Sequence, residues 1–365
     1  MSLRRVVHNH RMSVQAPSAV VLIRPQHFAP NPATATDNAF QTKDAGGDPE
    51  QLAGAAHDEA TGVADALAEA GVTVHLFENE DSTRPDSVFP NNWFSTHTGG
   101  RVALYPMYSP SRRSERRADV VEMLKRNYRV HDVVDYSGLE YDAMYLEGTG
   151  AMVIDHQDRV AYAARSNRAN PVALERFCAN FGYEPMVFDA FDTSGGPIYH
   201  TNVMMCIASD FVLIGLDMIS DPGRRAEVRQ SLELADREVI ALDHTQIHDF
   251  LGNAIELKTP TGRVLALSSR AAASLTDAQR ERIEQSCTLL PLDVPTIELA
   301  GGSVRCMIAG IHLTPRHPLA ASTRTRRDHV GEPTDQWFRA MEGEAVSPEG
   351  PVDPSLWRPA RSSHA

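Results

Sequence analysis

The sequence predicts an α/β fold of five repeated ββαβ units that close into a ring-like propeller, and three observations carry that prediction. A short hairpin, a helix and a single strand recur in that order along the chain. A set of polar and reactive residues returns at a constant interval. An apolar strand near the start has a counterpart near the end, so the two can pair and leave no free sheet edge. Repeats are read first because a missed period mis-assigns the whole fold.

The first unit pairs Trp93–His97 with Val102–Tyr105 around Gly99-Gly100, followed by a basic helix from Ser111 to Asn127 and a strand at Val130–Val134. The second pairs Ala151–Asp155 with Arg159–Ala163. Its helix opens at Asn170-Pro171, a capping side chain followed by a proline whose missing N–H costs nothing in the first turn, and it ends before Gly182. The third pairs Val203–Ala208 with Phe211–Gly215, starts a helix at Asp221-Pro222 and closes with Val239–Leu242. The fourth pairs Asn253–Lys258 with Val264–Ser268, then runs a helix from Thr276 and a strand near Leu289. The fifth is split between the ends: a strand from Cys306 to Ile311 meets Val20–Arg24, the helix from Asp48-Pro49 reaches Ala70 with Gly71 as its stop, and Val72–Phe77 completes it.

Glu147, His200, Asn253 and Cys306 stand 53 residues apart, each at or just before the first strand of a unit, and Asn92 precedes Glu147 by 55. In a ring of five equivalent units such positions face one axis, so a thiol, an imidazole, a carboxylate and several amides converge on one pit. That set suits nucleophilic attack on a planar, resonance-stabilised carbon: Cys306 attacks, His200 protonates the leaving amine and later activates water, and Glu147 holds substrate N–H groups and orients His200. Gly301-Gly302 lets backbone approach the ligand. The remaining cysteines, Cys178, Cys206 and Cys287, read as small buried hydrophobes.

Composition narrows the class of partner. A net charge of −13 over 365 residues argues against nucleic acid, while leaving room for a local basic pocket that takes a small anion. No apolar run approaches the ~18 residues of a membrane span, and Arg4, Arg5 and Arg11 are followed by no secretory core. Four cysteines without a CxxC pair or ligand spacing predict a reduced, cytoplasmic protein with no metal and no disulfide. The expected domains are an extension at 1–18, a single catalytic domain at 19–316 and a tail at 317–365 rich in Pro, Ser and charge. His8-Asn9-His10 offers only two ligands and is not read as a metal site.

Six motifs appear in order: Pro85-Asp86-Ser87-Val88-Phe89-Pro90-Asn91-Asn92, Leu146-Glu147-Gly148-Thr149-Gly150, Arg165-Ser166-Asn167, His200-Thr201-Asn202, Gly252-Asn253 and Gly301-Gly302-Ser303-Val304-Arg305-Cys306-Met307. Together they resemble the guanidine-modifying (pentein) superfamily of arginine deiminases, dimethylarginine hydrolases and amidinotransferases. The stretches Ile23–Asn31 and Tyr199–Met205 are similar to the bacterial citrulline-utilisation, amidinotransferase-like branch. The resemblance spans Val20 to Thr314. It implies a five-bladed α/β propeller, a covalent intermediate on Cys306, and neither metal nor organic cofactor. It also implies that Arg112 and Arg165 grip a substrate carboxylate and that Asp86 lies near the substrate's amino end, with Asn92, Asn202 and Asn253 lining the pit. Arg112 lies in Arg112-Arg113-Ser114-Glu115-Arg116-Arg117, which suits a solvated helix face equally well.

Two departures from the deiminase pattern bear on substrate. Deiminases carry aspartates where this chain has Asn92 and Asn202, and Gly148-Thr149 departs from the Gly-Gly-Asp that usually follows their glutamate. Carboxylates suit a cationic guanidinium, whereas carboxamides both donate to and accept from a neutral ureido group. The expected reaction is therefore citrulline to ornithine, carbon dioxide and ammonia. The alternatives are an arginine or methylarginine deiminase, a succinylarginine-type dihydrolase, an amidinotransferase, and a non-enzymatic binding protein on the same ring. The expected partner is a small amino acid; self-association is left open.

Overall fold

A computed structural model describes residues 14–42, 46 and 48–316. The expected tail at 317–365, most of the 1–18 extension and His8-Asn9-His10 lie outside the described residues. The strands, in chain order, are β1 (Ala19–Pro25), β2 (Thr73–Asn79), β3 (Phe94–His97), β4 (Arg101–Leu104), β5 (Asp132–Asp135), β6 (Val153–Asp155), β7 (Val160–Ala164), β8 (Glu184–Phe188), β9 (Met205–Ile207), β10 (Phe211–Ile214), β11 (Glu238–Ala241), β12 (Ile255–Thr259), β13 (Gly262–Ser268), β14 (Thr288–Leu292) and β15 (Ala309–Gly310). They form five three-stranded sheets: β3-β4-β5, β6-β7-β8, β9-β10-β11, β12-β13-β14 and β15-β1-β2.

Every sheet is built alike. Its first two strands are antiparallel, and the third returns through a helical connection to lie parallel to the middle one. A parallel return needs a crossover, which the intervening helices supply. The first and last strands meet in the fifth sheet, where Val20 pairs with Gly310 and Val21 with Ala309. The middle strands read as continuous apolar runs because both faces are covered; all of Phe211–Ile214 is buried, for example.

Local signals explain the helix boundaries. The Asn170 side chain accepts from the N–H groups of Val172 and Ala173, Pro171 opens the helix Pro171–Phe181, and Gly182 ends it at φ +70°. Asp221 caps Pro222–Leu234 in the same way, and Thr276 forms a capping box with Gln279.

Two expected elements differ. The basic helix from Ser111 is two pieces, a 3₁₀ turn at Pro110–Glu115 and a helix at Ala118–Asn127, with Arg116 and Arg117 extended between them. Arg112 and Glu115 point inward as a buried pair, so the first piece cannot continue on a solvent-facing helical period. Cys306 also lies outside a strand. It sits in a single helical turn, Val304–Met307, and only Ala309–Gly310 is paired.

Candidate active site

The turn at Cys306 belongs to a set. Pro90–Asn92 and Thr201–Val203 are 3₁₀ turns, Gly148–Ala151 and Val304–Met307 are short α turns, and each immediately precedes the first strand of its unit. Asn253 follows Gly252 in the corresponding turn before β12. Strands β3, β6, β9, β12 and β15 are thus each entered through a tight turn that carries polar side chains. Gly150 shows how closely the turns pack: a Cβ there would lie 2.3 Å from Nδ2 of Asn92 and 2.9 Å from Nδ1 of His200.

Cys306, His200, Asn92, Asp86 and Arg112 line one small cavity, together with Arg168, Tyr199, Asn38 and Thr34. The Cys306 sulfur receives two carboxamide donors, Nδ2 of Asn202 at 3.2 Å and Nδ2 of Asn253 at 3.3 Å. Asn253 is fixed in turn: its Nδ2 also donates to the Asn202 carbonyl at 3.0 Å, and its Oδ1 accepts from the Ser303 N–H at 3.2 Å. Oδ1 of Asn202 is buried with no hydrogen-bond partner among the described residues, leaving an acceptor beside the sulfur.

Nε2 of His200 meets Oε2 of Glu147 at 2.8 Å, both side chains buried. With Nε2 engaged, Nδ1 is the nitrogen left for proton transfer. Burial lowers the His200 pKa to about 4 against the opposing pull of Glu147, so the imidazole is neutral near pH 7. Burial opposes ionisation of Glu147, but Arg168, the hydrogen bond from His200, and Arg112 outweigh it and hold the carboxyl well below its usual range. Oε1 of Glu147 accepts from the Tyr108 N–H at 3.0 Å. Nη1 of Arg112 and Nη1 of Arg168 each lie 3.5 Å from Oε2. A neutral acceptor held by an ionised carboxylate is the arrangement a general base needs.

The structure settles Arg112 as buried. Its Nε and Nη2 bind both oxygens of Glu115 at 3.0 and 2.9 Å, its Nη1 donates to Oδ1 of Asn92 at 3.1 Å, and Asp86 lies 3.5 Å from Nε. Burial, with Asp86 and Glu147 nearby, pushes Glu115 up to about 7 against the pull of Arg112.

Arg165 is placed differently from expectation. It is exposed and pairs with Asp189 at 2.9 Å, outside the cavity. The arginine at the site is Arg168, three residues on. Its backbone carbonyl accepts from the Glu147 N–H at 3.0 Å, which seats its guanidinium beside that carboxylate. The turn after β7 therefore sends Arg165 outward and Arg168 inward.

Sequence reasoning also missed the loop between β1 and the helix Pro49–Glu69 (Gln26–Thr42 among its described residues). Asp37 receives two nitrogens of Arg168 at 3.1 and 2.6 Å, Asn31 donates to Asp86 at 2.7 Å, and Asn38 donates to the Ala300 carbonyl at 3.2 Å. Asn31 closed the expected Ile23–Asn31 motif, and that was the one signal available. Among the described residues, no three His, Cys, Asp or Glu side chains stand together as a metal-ligand set, and no helix is long and apolar enough to cross a membrane.

The model of a family described as N,N dimethylarginine dimethylhydrolase, eukaryotic, matches residues 24–313. No curated protein matches the chain. Among solved structures, a substrate-bound mutant N-terminal domain of ArgZ, an arginine dihydrolase from the ornithine-ammonia cycle in Cyanobacteria, superposes with a TM-score of 0.63 at 14% identity, over 81% of this chain and 98% of that one. A mutant of AgrE in complex with L-arginine gives 0.64 at 15% identity, over 82% of this chain and 41% of AgrE. A dimethylarginine dimethylaminohydrolase mutant carrying an S-methyl-L-thiocitrulline adduct gives 0.53 at 14%, over 81% of this chain and 100% of that one. At these identities the structural neighbours establish likeness of fold, and the family assignment rests on the matched model. The chain belongs to this dimethylarginine dimethylhydrolase family and is a hydrolytic enzyme of the guanidine-modifying (pentein) superfamily.

Proposed function

We propose that the chain is a cysteine-dependent hydrolase of the terminal ureido or guanidino group of an arginine-type amino acid, with citrulline as its favoured substrate. The observation that carries this reading is the sulfur of Cys306 held between two carboxamide donors, at a cavity that His200 also lines with Glu147 bound behind it. No carboxylate is hydrogen-bonded to the sulfur among the described residues. Both oxygens of Glu147 are engaged, and two arginines flank it. Little at the nucleophile thus compensates the lost hydration of a guanidinium, whereas the free Oδ1 of Asn202 and the neighbouring amides suit a neutral ureido group.

Sγ of Cys306 bonds to the ureido carbon as its proton passes to the neutral His200. The imidazolium gives that proton to the departing nitrogen, the terminal C–N bond breaks, and ammonia leaves an S-carbamoyl intermediate. His200 then deprotonates a water that attacks the same carbon. The C–S bond breaks, the thiol regains a proton, and the released carbamate loses carbon dioxide to give the amine. The same cycle on a guanidino group stops at the ureido product and ammonia. Arg168 takes the role first expected of Arg165, receiving the substrate carboxylate by exchange with Asp37, with Arg112 beside it; Asp86 faces the amino end. The ring reading supports the convergence: β3, β6, β9, β12 and β15 line one further cavity, as the inner strands of a five-bladed propeller would. Four reduced cysteines fit a cytoplasmic setting.

A substrate panel tests the reading. Citrulline, arginine, monomethyl- and dimethylarginine are incubated with the protein while ammonia, methylamines, citrulline and ornithine are measured. Ornithine from citrulline at the highest kcat/KM is expected; faster turnover of arginine or a methylarginine reassigns the substrate and leaves the nucleophile in place.

A further inference from the structure

The further cavity lined by the five first strands lies beyond the turns that carry the reactive side chains, and Arg305, the neighbour of Cys306, projects into it. The buried arginines each hold a carboxylate through two nitrogens: Arg112 with Glu115, Arg168 with Asp37 and Arg237 with Asp155. Arg305 does not. Its guanidinium makes one hydrogen bond to the described residues, from Nη1 to the Ile308 carbonyl at 2.9 Å, and no acidic oxygen lies within ion-pair distance among them. Glu256, the acid in the cavity wall, makes no ion pair with Arg305, and its buried Oε1 accepts no hydrogen bond among the described residues. Its Oε2 accepts from the Ser209 N–H at 2.8 Å, and its Oε1 lies 3.3 Å from Nη1 of Arg263.

His156 and His312 stack with ring centroids 3.8 Å apart. Nδ1 of His156 is engaged by the Tyr183 hydroxyl at 3.2 Å, and its Nε2 has no hydrogen-bond partner among the described residues. Gln15 closes one side, its Nε2 donating to the Ile154 and Ile207 carbonyls at 3.1 and 3.0 Å and its Oε1 accepting from the His156 N–H at 2.9 Å. A part-buried guanidinium that faces a small cavity and has no carboxylate partner among the described residues favours a counter-charge there.

We infer that this cavity binds one small monovalent inorganic anion, of chloride or bromide size, against the Arg305 guanidinium with the His156–His312 pair beside it. One uncompensated cation calls for one negative charge. A doubly charged anion would put surplus charge near Glu256. Arg305 and Cys306 share the turn Val304–Met307, and the Arg305 N–H donates to the Asn253 carbonyl at 3.2 Å, so the anion would brace the turn that presents the nucleophile.

The test uses the full chain in gluconate buffer, titrated with sodium bromide or chloride at constant ionic strength, with Tm as the readout. A saturable rise with bromide and chloride is expected, lost in Arg305→Gln because ligand that binds only the folded state raises its stability. Bromide soaked into crystals of the unaltered protein should give an anomalous peak at Arg305, which decides the matter even if the variant fails to fold. A Tm that does not saturate, together with no anomalous peak in the cavity, overturns the proposal; so does an unchanged bromide response in Arg305→Gln.

Discussion

The two cavities both contain histidines that burial keeps neutral, yet only one is equipped for proton transfer. In the pit, His200 is anchored to an ionised Glu147, which Arg112 and Arg168 hold charged. At the second cavity His156 and His312, with His97 packed behind His156, meet only neutral groups as hydrogen-bond partners among the described residues. His97 joins Ser95 at 2.6 Å and Tyr183 at 3.0 Å, and Tyr183 passes the chain to His156. Burial lowers the pKa of all three, that of His312 to about 4, with no carboxylate to stabilise an imidazolium. The difference is the carboxylate. Burial makes a histidine neutral, but a fixed anion lets it pick up a proton during a reaction and give it back.

The sharpest way to break this comparison is to remove the anion. Glu147→Gln should lower kcat by ~10²–10⁴, the usual worth of positioned acid–base catalysis. His156→Gln should leave the kcat of the folded fraction within a few-fold while reducing stability. Equal losses of kcat in both variants would erase the distinction between the cavities. A second test moves charge to the nucleophile's surroundings. Asn92→Asp with Asn202→Asp should shift kcat/KM from citrulline toward arginine, by roughly 10²-fold for a mismatch of ~3 kcal/mol. Circular dichroism must accompany it, since two new carboxylates near Glu147 can repel and share a proton.

The pH dependence of folding reads both cavities together. His200 and His312 each have a folded pKa of about 4, below the ~6.5 of an unfolded histidine. Between those values the unfolded chain binds more protons, so stability falls as pH drops from ~6.5 toward ~4, by on the order of 3 kcal/mol for each such histidine. Urea unfolding at pH 7.5, 6 and 5 checks this; a flat midpoint would mean these rings are hydrated. The smallest expected effect concerns the two arginines after β7. Arg165→Ala should change stability by less than ~0.5 kcal/mol and leave KM unaltered, as for an exposed ion pair. Arg168→Ala should raise KM for citrulline relative to its decarboxylated analogue. A KM change at Arg165 instead would return the carboxylate to it.

Much of the fold was legible because its signals are local. Asn170-Pro171 and Asp221-Pro222 mark helix starts by capping chemistry, and Gly99-Gly100 marks a hairpin through backbone at φ +84° and +78°. The 53-residue interval then placed Glu147, His200, Asn253 and Cys306 at one end of their units. What escaped depends on partners far away in sequence. Arg112 and Glu115 abandon a helical surface because Asn92, Asp86 and Glu147 meet them inside. Met307–Ile311 reads as a strand continuing from Cys306, but the Asn253 side chain binds the Ser303 N–H and holds the segment in a turn. Neither the choice between Arg165 and Arg168 nor the role of Asp37 has a periodic signature. Both follow from how a turn and a loop lie against Glu147.

Sγ of Cys306 is the attacking atom in this mechanism, and the most direct measurement traps what it attacks. Protein mixed with citrulline or arginine is acid-quenched within the first turnovers, digested and weighed by mass spectrometry. A substrate-derived mass increase should appear on the peptide containing Cys306, with Cys178, Cys206 and Cys287 unmodified, and Cys306→Ser should show neither adduct nor turnover. Turnover that persists in Cys306→Ser, or an adduct on another cysteine, would contradict the account.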